Sequence, residues 1–402
     1  MKTQRDVLFV THTARPGGAE LYLLDALKGA PNRSAVLLLE EGPLQTLLNE
    51  YAIPAYVKPL PSGLASITRS GHLWQEVLHI PGLIKTVYRM ARLFRHFRVI
   101  YANSQKAFIL GSMAARLAHR PILWNLHDIL TEAHFSRWHI RVATWLSNHL
   151  ATRIIVNSRA SRKALRDAGS THPYIEVVYN GIDPEPFLRT TPPHQLPLPH
   201  LGTHPLVGVF GRLAPWKGQH IMLPVLEALP HLHVVFVGDA LFPEDRRYAT
   251  FLKEEVRRRG LEDRVHWAGF QRDIHRYYHR VDMVVHTSIA PEPFGRVVVE
   301  GMLAGKPTIA AADGGIPELL TADSEGLLYQ PGNTEQLIGH IKMLLTHPDV
   351  AQRMGMQGRK RALRQFHVDH MRKAIWQHID EVLTLSSSHM HDLSRAEQPV
   401  NV

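Results

Sequence analysis

The chain has 402 residues, 45% of them hydrophobic, so roughly two to three domains with sizeable cores are expected. It contains no cysteine, which excludes disulfides and thiolate metal sites and fits a reducing cytosol. Residues 1–190 hold 23 Lys and Arg residues against 13 Asp and Glu residues, and so carry the entire formal net charge of +10. This asymmetry predicts an anionic partner for the first half of the chain.

The N-terminal apolar run at residues 7–10 is too short for a signal peptide, and no other run approaches the length of a transmembrane helix. We therefore expect a cytoplasmic protein. Contact with the inner face of a membrane would be peripheral.

The first half opens with a buried strand at residues 6–11, a Gly-Gly loop and a helix at residues 19–28. This is the opening of a doubly wound unit, whose ligand lies at the carboxyl end of the strand. Gly17, Gly18 and His12 occupy that position. The two glycines are also explained by a tight turn, and the two interpretations are compatible. Further strands are predicted at residues 34–39, 99–101, 122–126 and 154–157.

His127 directly follows the predicted strand at residues 122–126. The carboxyl end of a strand in such a sheet faces the ligand, so His127 is a candidate active-site residue. The alternative is a histidine that only makes a hydrogen bond within its loop.

A basic amphipathic helix is predicted at residues 83–98. Its apolar positions repeat with helical spacing, whereas Lys85, Arg89 and Arg92 share the opposite face. The favoured interpretation is a helix that covers the sheet with a solvated outer face. The same face could also contact an anionic membrane surface.

The second half repeats the alternation after an irregular segment rich in Pro and His. Two similar α/β halves imply two domains with a cleft between them. Strands are predicted at residues 206–210, 233–237, 265–268, 283–286 and 308–310, and helices at residues 243–259, 297–304 and 334–346.

Arg212 and Lys217 lie in the loop that follows the strand at residues 206–210. Two cations on such a turn suit a diphosphate, although a solvated loop would have the same composition. The loop matches neither a P-loop nor the G-x-G-x-x-G dinucleotide pattern. The chain has no D-x-D sequence, so we expect these cations, rather than a metal ion, to neutralise a leaving diphosphate.

The most informative stretch, residues 286–320, contains a predicted anion site. Phe294, Gly295 and Arg296 introduce a helix, and the first N–H groups of a helix have no intrahelical partner. Glu292 precedes this point in a Pro-flanked loop, and Glu300 follows it inside the helix. Two carboxylates beside an anion site suit a nucleotide sugar, whereas Arg296 and Glu300 alone could be an ordinary helical ion pair.

E-P-F-G, E-x-x-x-G-K-P and D-G-G-I-P-E within this stretch closely resemble the donor-site signature of family-4 retaining glycosyltransferases of the GT-B fold. Glu292 and Glu300 match that family's E-x7-E pair. The resemblance implies two Rossmann-like, doubly wound α/β domains and a nucleotide-diphosphate sugar as donor. It implies an N-terminal acceptor domain at 1–185, a C-terminal donor domain at 205–366 and a helix at 367–385 that crosses back to the first domain. The Pro- and His-rich composition predicts a linker at 186–204, and the polar composition predicts a disordered tail at 386–402.

The resemblance also implies roles for the candidate residues. Glu300 would bind the ribose, Arg212 and Lys217 the diphosphate, and Glu292 a sugar hydroxyl. His127 would lie beside the transferred sugar, and Gly17 and Gly18 would lie against the phosphates and the acceptor. His12 is a rival to His127, because inverting enzymes of this fold keep a general base there. The acceptor would be a glycan, a lipid-linked glycan or a small molecule, and neither a cofactor nor a metal is expected.

Two other functions remain open at this stage. A sugar-nucleotide 2-epimerase of the same fold would convert the donor without an acceptor. A basic nucleic-acid-binding protein is disfavoured, because the second half is electrically neutral and no recognition motif is present.

Overall fold

The computed structural model describes residues 5–61, 80–189, 196, 198, 199 and 201–396. The chain forms two compact units. Unit 1 comprises Met1–Gly181 with Asp369–Val402, and unit 2 comprises Ile182–Val368.

Unit 1 is built on a seven-stranded parallel sheet in the order β3-β2-β1-β4-β5-β6-β7. Apolar runs form the central strands, as expected for a parallel sheet that is covered on both faces. The strands are β1 (Val7–Thr11), β2 (Ser34–Leu38), β3 (Ala55–Val57), β4 (Val99–Ala102), β5 (Ile122–Leu126), β6 (Arg153–Val156) and β7 (Ile175–Val177). The helices are α1 (Gly18–Leu27), α2 (Leu44–Glu50), α3 (Ile80–Phe94), α4 (Gln105–Ala118), α5 (Arg137–Leu150) and α6 (Arg159–Asp167).

The helices of unit 1 cover opposite faces of this sheet. The chain moves one way from β1 to β3 and the other way from β3 to β7, so right-handed crossovers place α1 and α2 on one face and α3 to α6 on the other. Helix α3 packs as its amphipathic pattern predicts: Met90 and Phe94 are buried in the core, while Lys85, Arg89 and Arg92 are exposed.

Unit 2 is built on a six-stranded parallel sheet in the order β10-β9-β8-β11-β12-β13. Its strands are β8 (Leu206–Phe210), β9 (His233–Val237), β10 (Val265–Gly269), β11 (Met283–His286), β12 (Thr308–Ala311) and β13 (Leu327–Tyr329). Its helices are α7 (Glu185–Leu188), α8 (Met222–Ala228), α9 (Pro243–Arg258), α10 (Ile274–Arg280), α11 (Arg296–Leu303), α12 (Thr334–Thr346) and α13 (Pro348–Gln365).

The doubly wound α/β architecture predicted from the sequence is confirmed in both units. Several short elements without a clear hydrophobic period were not predicted from the sequence. Among them are β3, β13 and α10. The segment predicted as a linker at 186–204 begins inside helix α7, whose Phe187 packs against Tyr278 of α10. It therefore starts as an ordered part of unit 2.

The C-terminal helix α14 (Val368–Ala396) belongs to unit 1 from Asp369 onward. Its Trp376 packs edge-on against Phe9 of β1. The helix extends beyond residue 385, where the sequence predicted the start of a disordered tail. That prediction was wrong as far as Ala396, because no Gly or Pro interrupts the helix. The rest of the predicted tail lies outside the described residues.

Candidate functional site

Both sheets reverse their strand order at one point, between β1 and β4 in unit 1 and between β8 and β11 in unit 2. In open α/β sheets, ligands bind outside the carboxyl ends of the strands at such a switch point. The loops after these four strands contain most of the residues that the sequence singled out.

In unit 2, Lys217, which was predicted to bind the diphosphate, forms an ion pair with Glu292, which was predicted to bind the sugar. Lys217 Nζ lies 2.5 Å from Glu292 Oε2, and both side chains are largely buried. Ser288 Oγ donates a hydrogen bond of 3.0 Å to the same oxygen. Burial alone would raise the pKa of Glu292, but Lys217 and His286 hold it well below its usual range. The carboxylate is therefore ionised and fixed in position.

The backbone that carries Glu292 is fixed by the D-G-G sequence. Gly315 N donates a 2.8 Å hydrogen bond to the Glu292 carbonyl oxygen. Gly314 has a φ of 59°, and a Cβ there would lie 2.2 Å from that oxygen. Only glycine permits both the conformation and this approach. The D-G-G sequence therefore holds the loop that carries Glu292.

Glu300 lies in α11 and is buried. Its Oε2 accepts a 2.9 Å hydrogen bond from Tyr278, and its Oε1 lies 3.6 Å from Arg296 Nε. The helical ion pair therefore exists, and it does not exclude a role in ligand binding. Helix α11 begins after Gly295, whose φ is 94° and whose missing Cβ would lie 2.3 Å from Ile316 Cδ1.

Arg212 and Lys217 both contact the Trp216 indole. Lys217 Nζ lies 4.4 Å from the ring centroid, and Arg212 Cζ lies 5.9 Å from it. Arg212 is also 3.5 Å from Asp245, a buried carboxylate in the first turn of α9. The two predicted phosphate cations therefore flank one aromatic ring, and each has a carboxylate partner.

The corresponding edge of unit 1 carries a network of amide, imidazole and hydroxyl groups. His127 Nε2 lies 3.0 Å from Asn103 Oδ1 and 2.9 Å from Asn125 Nδ2. Asn103 also donates to the carbonyl oxygen of Ala19 in α1. Tyr22 contacts the His127 ring edge-on at 4.7 Å. The tautomer decides which of the two amides hydrogen-bonds to Nε2, and in either case the contact holds His127 at the edge where a ligand is expected.

The Gly-Gly loop of unit 1 is fixed by a buried carboxyl group. Glu20 accepts hydrogen bonds from Gly17 N at 3.3 Å and from Thr11 Oγ1 at 3.2 Å. Burial raises the pKa of Glu20 to about 7. The rival candidate His12 forms a 2.8 Å hydrogen bond with Ser104, which also caps α4.

Sequence reasoning missed several residues of both sites. The ends of β11 and β4 carry three of them: His286, Ser288 and Asn103. Residues at the carboxyl ends of the strands face the ligand, and this strand-end rule, which selected His127, could have found them. Tyr278 lies in a seven-residue helix and Asp245 in a charge-rich helix, and neither has a sequence signal that points to the site.

Two features are absent from the described part of the chain. No group of three or more His, Asp or Glu residues there is arranged to hold a metal ion. No helix there is long and apolar enough to span a membrane.

Two doubly wound parallel sheets, with charged residues at the switch point of the second, define a protein of the GT-B glycosyltransferase class. The sequence model of the family "Glycosyltransferase Family 4" matches residues 16–186, and that of "Glycosyl transferases group 1" matches residues 197–361. The chain belongs to glycosyltransferase family 4, as its motifs predicted.

Solved and curated relatives agree with this assignment. HepE of Anabaena, solved in complex with UDP and glucose, is 36% identical over 94% of this chain and 99% of its own, with a TM-score of 0.84. The putative glycosyltransferase EpsD of Bacillus subtilis is 27% identical over 67% of this chain and 72% of its own length. The sulfoquinovosyl transferase of Arabidopsis thaliana is 26% identical over 65% of this chain, which spans 52% of that relative's length.

Proposed function

We propose that the protein transfers a hexose from a UDP-sugar to a hydroxyl group of a glycan, a lipid-linked glycan or a small molecule, with retention of configuration and without a metal ion. The observation that carries this proposal is the arrangement of Arg212, Lys217, Glu292 and Glu300 at the switch point of unit 2. UDP is the proposed nucleotide because HepE was solved with UDP and with UDP-glucose.

Each part of the donor would be bound by the charged groups that suit it. Arg212 and Lys217 suit the diphosphate, together with the N-terminus of α11, because all three favour negative charge. Charge on the leaving diphosphate grows in the transition state, so these groups would increase turnover more than ground-state binding. Glu300 would accept hydrogen bonds from ribose hydroxyls, and Glu292 from a hydroxyl of the sugar.

Retention is proposed because the donor motifs resemble those of retaining family-4 glycosyltransferases, and the state of Glu292 bears on the route. A carboxylate that pairs with Lys217 and accepts a hydrogen bond from Ser288 is a weak base and a poor nucleophile. A covalent glycosyl-enzyme intermediate is then disfavoured. Attack of the acceptor hydroxyl on the face that the diphosphate leaves would retain configuration.

Metal independence is proposed from the same groups. Two side-chain cations and a helix N-terminus can neutralise a diphosphate without an ion. Activity should therefore survive EDTA, and a loss that Mg²⁺ restores would contradict this part of the proposal.

The deciding experiment is a panel of UDP-, GDP- and ADP-sugars tested for thermal stabilisation and then for transfer. Stabilisation by UDP-sugars, and a product with the anomeric configuration of the donor, are expected. An inverted product would contradict retention. Conversion of the donor without an acceptor would instead indicate an epimerase.

We further propose peripheral association with an anionic membrane surface through unit 1. Helix α3 exposes Ile84 and Tyr88, 64% and 56% accessible, beside Lys85, Arg89 and Arg92. Basic residues near an anionic surface contribute roughly 1 kcal/mol each, and aromatic residues suit the interface. The protein would then be cytoplasmic, at the inner face of the membrane.

A second helix on the same face of the sheet supports this surface. Helix α4 packs against both α3 and α5. Helix α5 exposes Trp138 and Trp145, with Arg141 exposed between them. The outer layer of unit 1 thus presents basic and aromatic residues together, a combination typical of interfacial helices.

Co-sedimentation with anionic and neutral vesicles tests this association. Wild type should bind anionic vesicles, more weakly as salt rises, because the Debye length falls to about 8 Å at physiological ionic strength. The Lys85/Arg89/Arg92→Gln variant should bind less, whereas a control Arg257/Arg258→Gln variant in α9 should not. Equal binding to both lipids would contradict the proposal, and tight RNA binding at physiological salt would favour nucleic acid instead.

A further inference from the structure

Glu292 has two carboxylate oxygens with different surroundings. Its Oε2 is contacted by Lys217 Nζ at 2.5 Å, by Ser288 Oγ at 3.0 Å and by His286 Nε2 at 3.5 Å. Among the described residues, no hydrogen bond ends on Oε1. The protein therefore holds one oxygen and leaves the other as the acceptor that a ligand hydroxyl can reach.

The contacts determine the protonation of His286. An ionised carboxylate only accepts hydrogen bonds, so His286 Nε2 must carry the hydrogen. The other ring nitrogen, Nδ1, is buried without a partner in the described structure. Protonating it would bury an unpartnered N–H group and a second positive charge beside Lys217, which is costly. Burial accordingly lowers the pKa of His286, and the ring is neutral.

The segment that carries these donors is itself fixed. Tyr329 donates a 3.1 Å hydrogen bond to the His286 carbonyl oxygen at the end of β11. Thr287 Oγ1 donates to the Lys217 carbonyl oxygen at 2.7 Å, and Ile289 N donates to the Trp216 carbonyl oxygen at 2.9 Å. The loop with Lys217 and the loop with His286 and Ser288 therefore act as one frame around Glu292.

We propose that His286 and Ser288 are positioning residues: neutral His286, as the Nε2–H tautomer, and Ser288 hold Glu292 Oε2 so that Oε1 faces the transferred sugar. This rests on the proposed function of unit 2. Neither residue is assigned a contact with the donor. Their effect should therefore appear in the transfer step and in recognition of the sugar, and not in affinity for the nucleotide.

Two substitutions of His286 separate positioning from packing. Gln places its Nε2 amide the same number of bonds from Cβ as the imidazole Nε2, so His286→Gln can keep the donor. His286→Phe keeps a ring of similar shape and removes the donor. With UDP-glucose as the donor, kcat should fall about tenfold to 150-fold in His286→Phe and largely recover in His286→Gln. The affinity for UDP alone should be unchanged in both.

His340→Phe is the matched control. Its imidazole Nε2 lies 3.1 Å from the Leu328 carbonyl oxygen in the same unit, so the bond that it makes is to β13 and not to Glu292. This variant should lose stability without losing kcat. Ser288→Ala is a second variant with little risk to folding, and it should also lower kcat without changing the affinity for UDP.

Wild-type kcat in His286→Phe or in Ser288→Ala would overturn the proposal, as would equal losses in His286→Gln and His286→Phe. Nitrogen NMR of histidine-labelled protein gives a readout that is independent of activity. A neutral Nε2–H ring at neutral pH, shifted by Glu292→Gln, is expected, whereas a charged ring or an Nδ1–H tautomer would overturn the proposal. If wild type gave that spectrum but neither bound UDP-sugars nor transferred sugar, the proposed function alone would fail.

Discussion

The two units share the strand order around the switch point and use the same edge of the sheet, but one places ion pairs there and the other places neutral polar side chains. The switch point of unit 2 carries the ion pairs Lys217–Glu292 and Arg212–Asp245. The switch point of unit 1 carries the His127 imidazole, whose Nε2 lies against the side-chain amides of Asn103 and Asn125. The strand-end rule predicts where a ligand lies, and only the side chains decide which ligand. Ionic groups suit a diphosphate, whereas neutral donors and acceptors suit hydroxyls.

The net charge of the two regions does not follow the difference between their switch points. The half of the chain that contributes most of unit 1 carries all of the +10, yet its exposed cations lie on outer helices such as α3. Unit 2 derives from the neutral half, yet it places the pairs Lys217–Glu292 and Arg212–Asp245 at its switch point. The candidate phosphate site therefore lies in the unit that does not carry the net charge.

The largest effect should come from breaking the central ion pair of unit 2. Lys217→Met should lower kcat by about 10²–10³-fold, because it removes a cation from the leaving diphosphate. It should also cost about 3–5 kcal/mol of unfolding free energy, because Glu292 is left charged and buried. The double variant Lys217→Met/Glu292→Gln should recover stability but not turnover. Full turnover in the single variant would remove Lys217 from the reaction.

The next prediction tests the neutral character of unit 1. The pKa of Glu20 is raised from 4.5 to about 7 in the folded protein, so the folded state retains a proton that the unfolded state has lost. Stability from this group is present below the unfolded pKa and is lost as pH rises through the folded pKa. In urea unfolding, the unfolding free energy of Glu20→Gln relative to wild type should rise by about 3 kcal/mol between about pH 4.5 and pH 7. Above pH 7 this difference should stay constant. A difference that is independent of pH would show that Glu20 does not titrate in this way.

Glu300→Ala should weaken donor binding in unit 2 by about 1.5–3 kcal/mol, because a charged hydrogen-bond acceptor is lost. Tyr278→Phe is the control, since it keeps the carboxylate and removes only the phenol that donates to it. Calorimetric titration with UDP distinguishes the two. An unchanged dissociation constant in Glu300→Ala would exclude Glu300 from the nucleotide site.

The smallest effect should come from unit 1. Asn103→Ala removes the amide that contacts His127 and Asn125 and that donates to Ala19, and each neutral hydrogen bond is worth about 0.5–1.5 kcal/mol. Transfer should fall modestly while affinity for UDP stays the same. Weakened UDP binding would show that the two switch points do not divide the substrates as proposed.

Much of the fold was readable from the sequence, because buried parallel strands and amphipathic helices have strong periodic patterns. The bounds of β5, β8, β9 and β11 and of α12 agree with the predictions. The missed elements are short or lack apolar periodicity, such as β3 with three residues. Helix α14 exceeded its predicted end, since a polar segment that lacks Gly and Pro can remain helical.

The sequence by itself determined the family and the doubly wound units, and it predicted the charged residues of the donor site, because a long motif with fixed spacing encodes them. Tertiary structure alone decided the partners of those residues. Lys217 and Glu292 are far apart in sequence, and Tyr278 and Asp245 reach the site from helices without a motif. Spacing along the chain cannot predict which oxygen of Glu292 is held, since that depends on β8 and β11 lying side by side in the sheet.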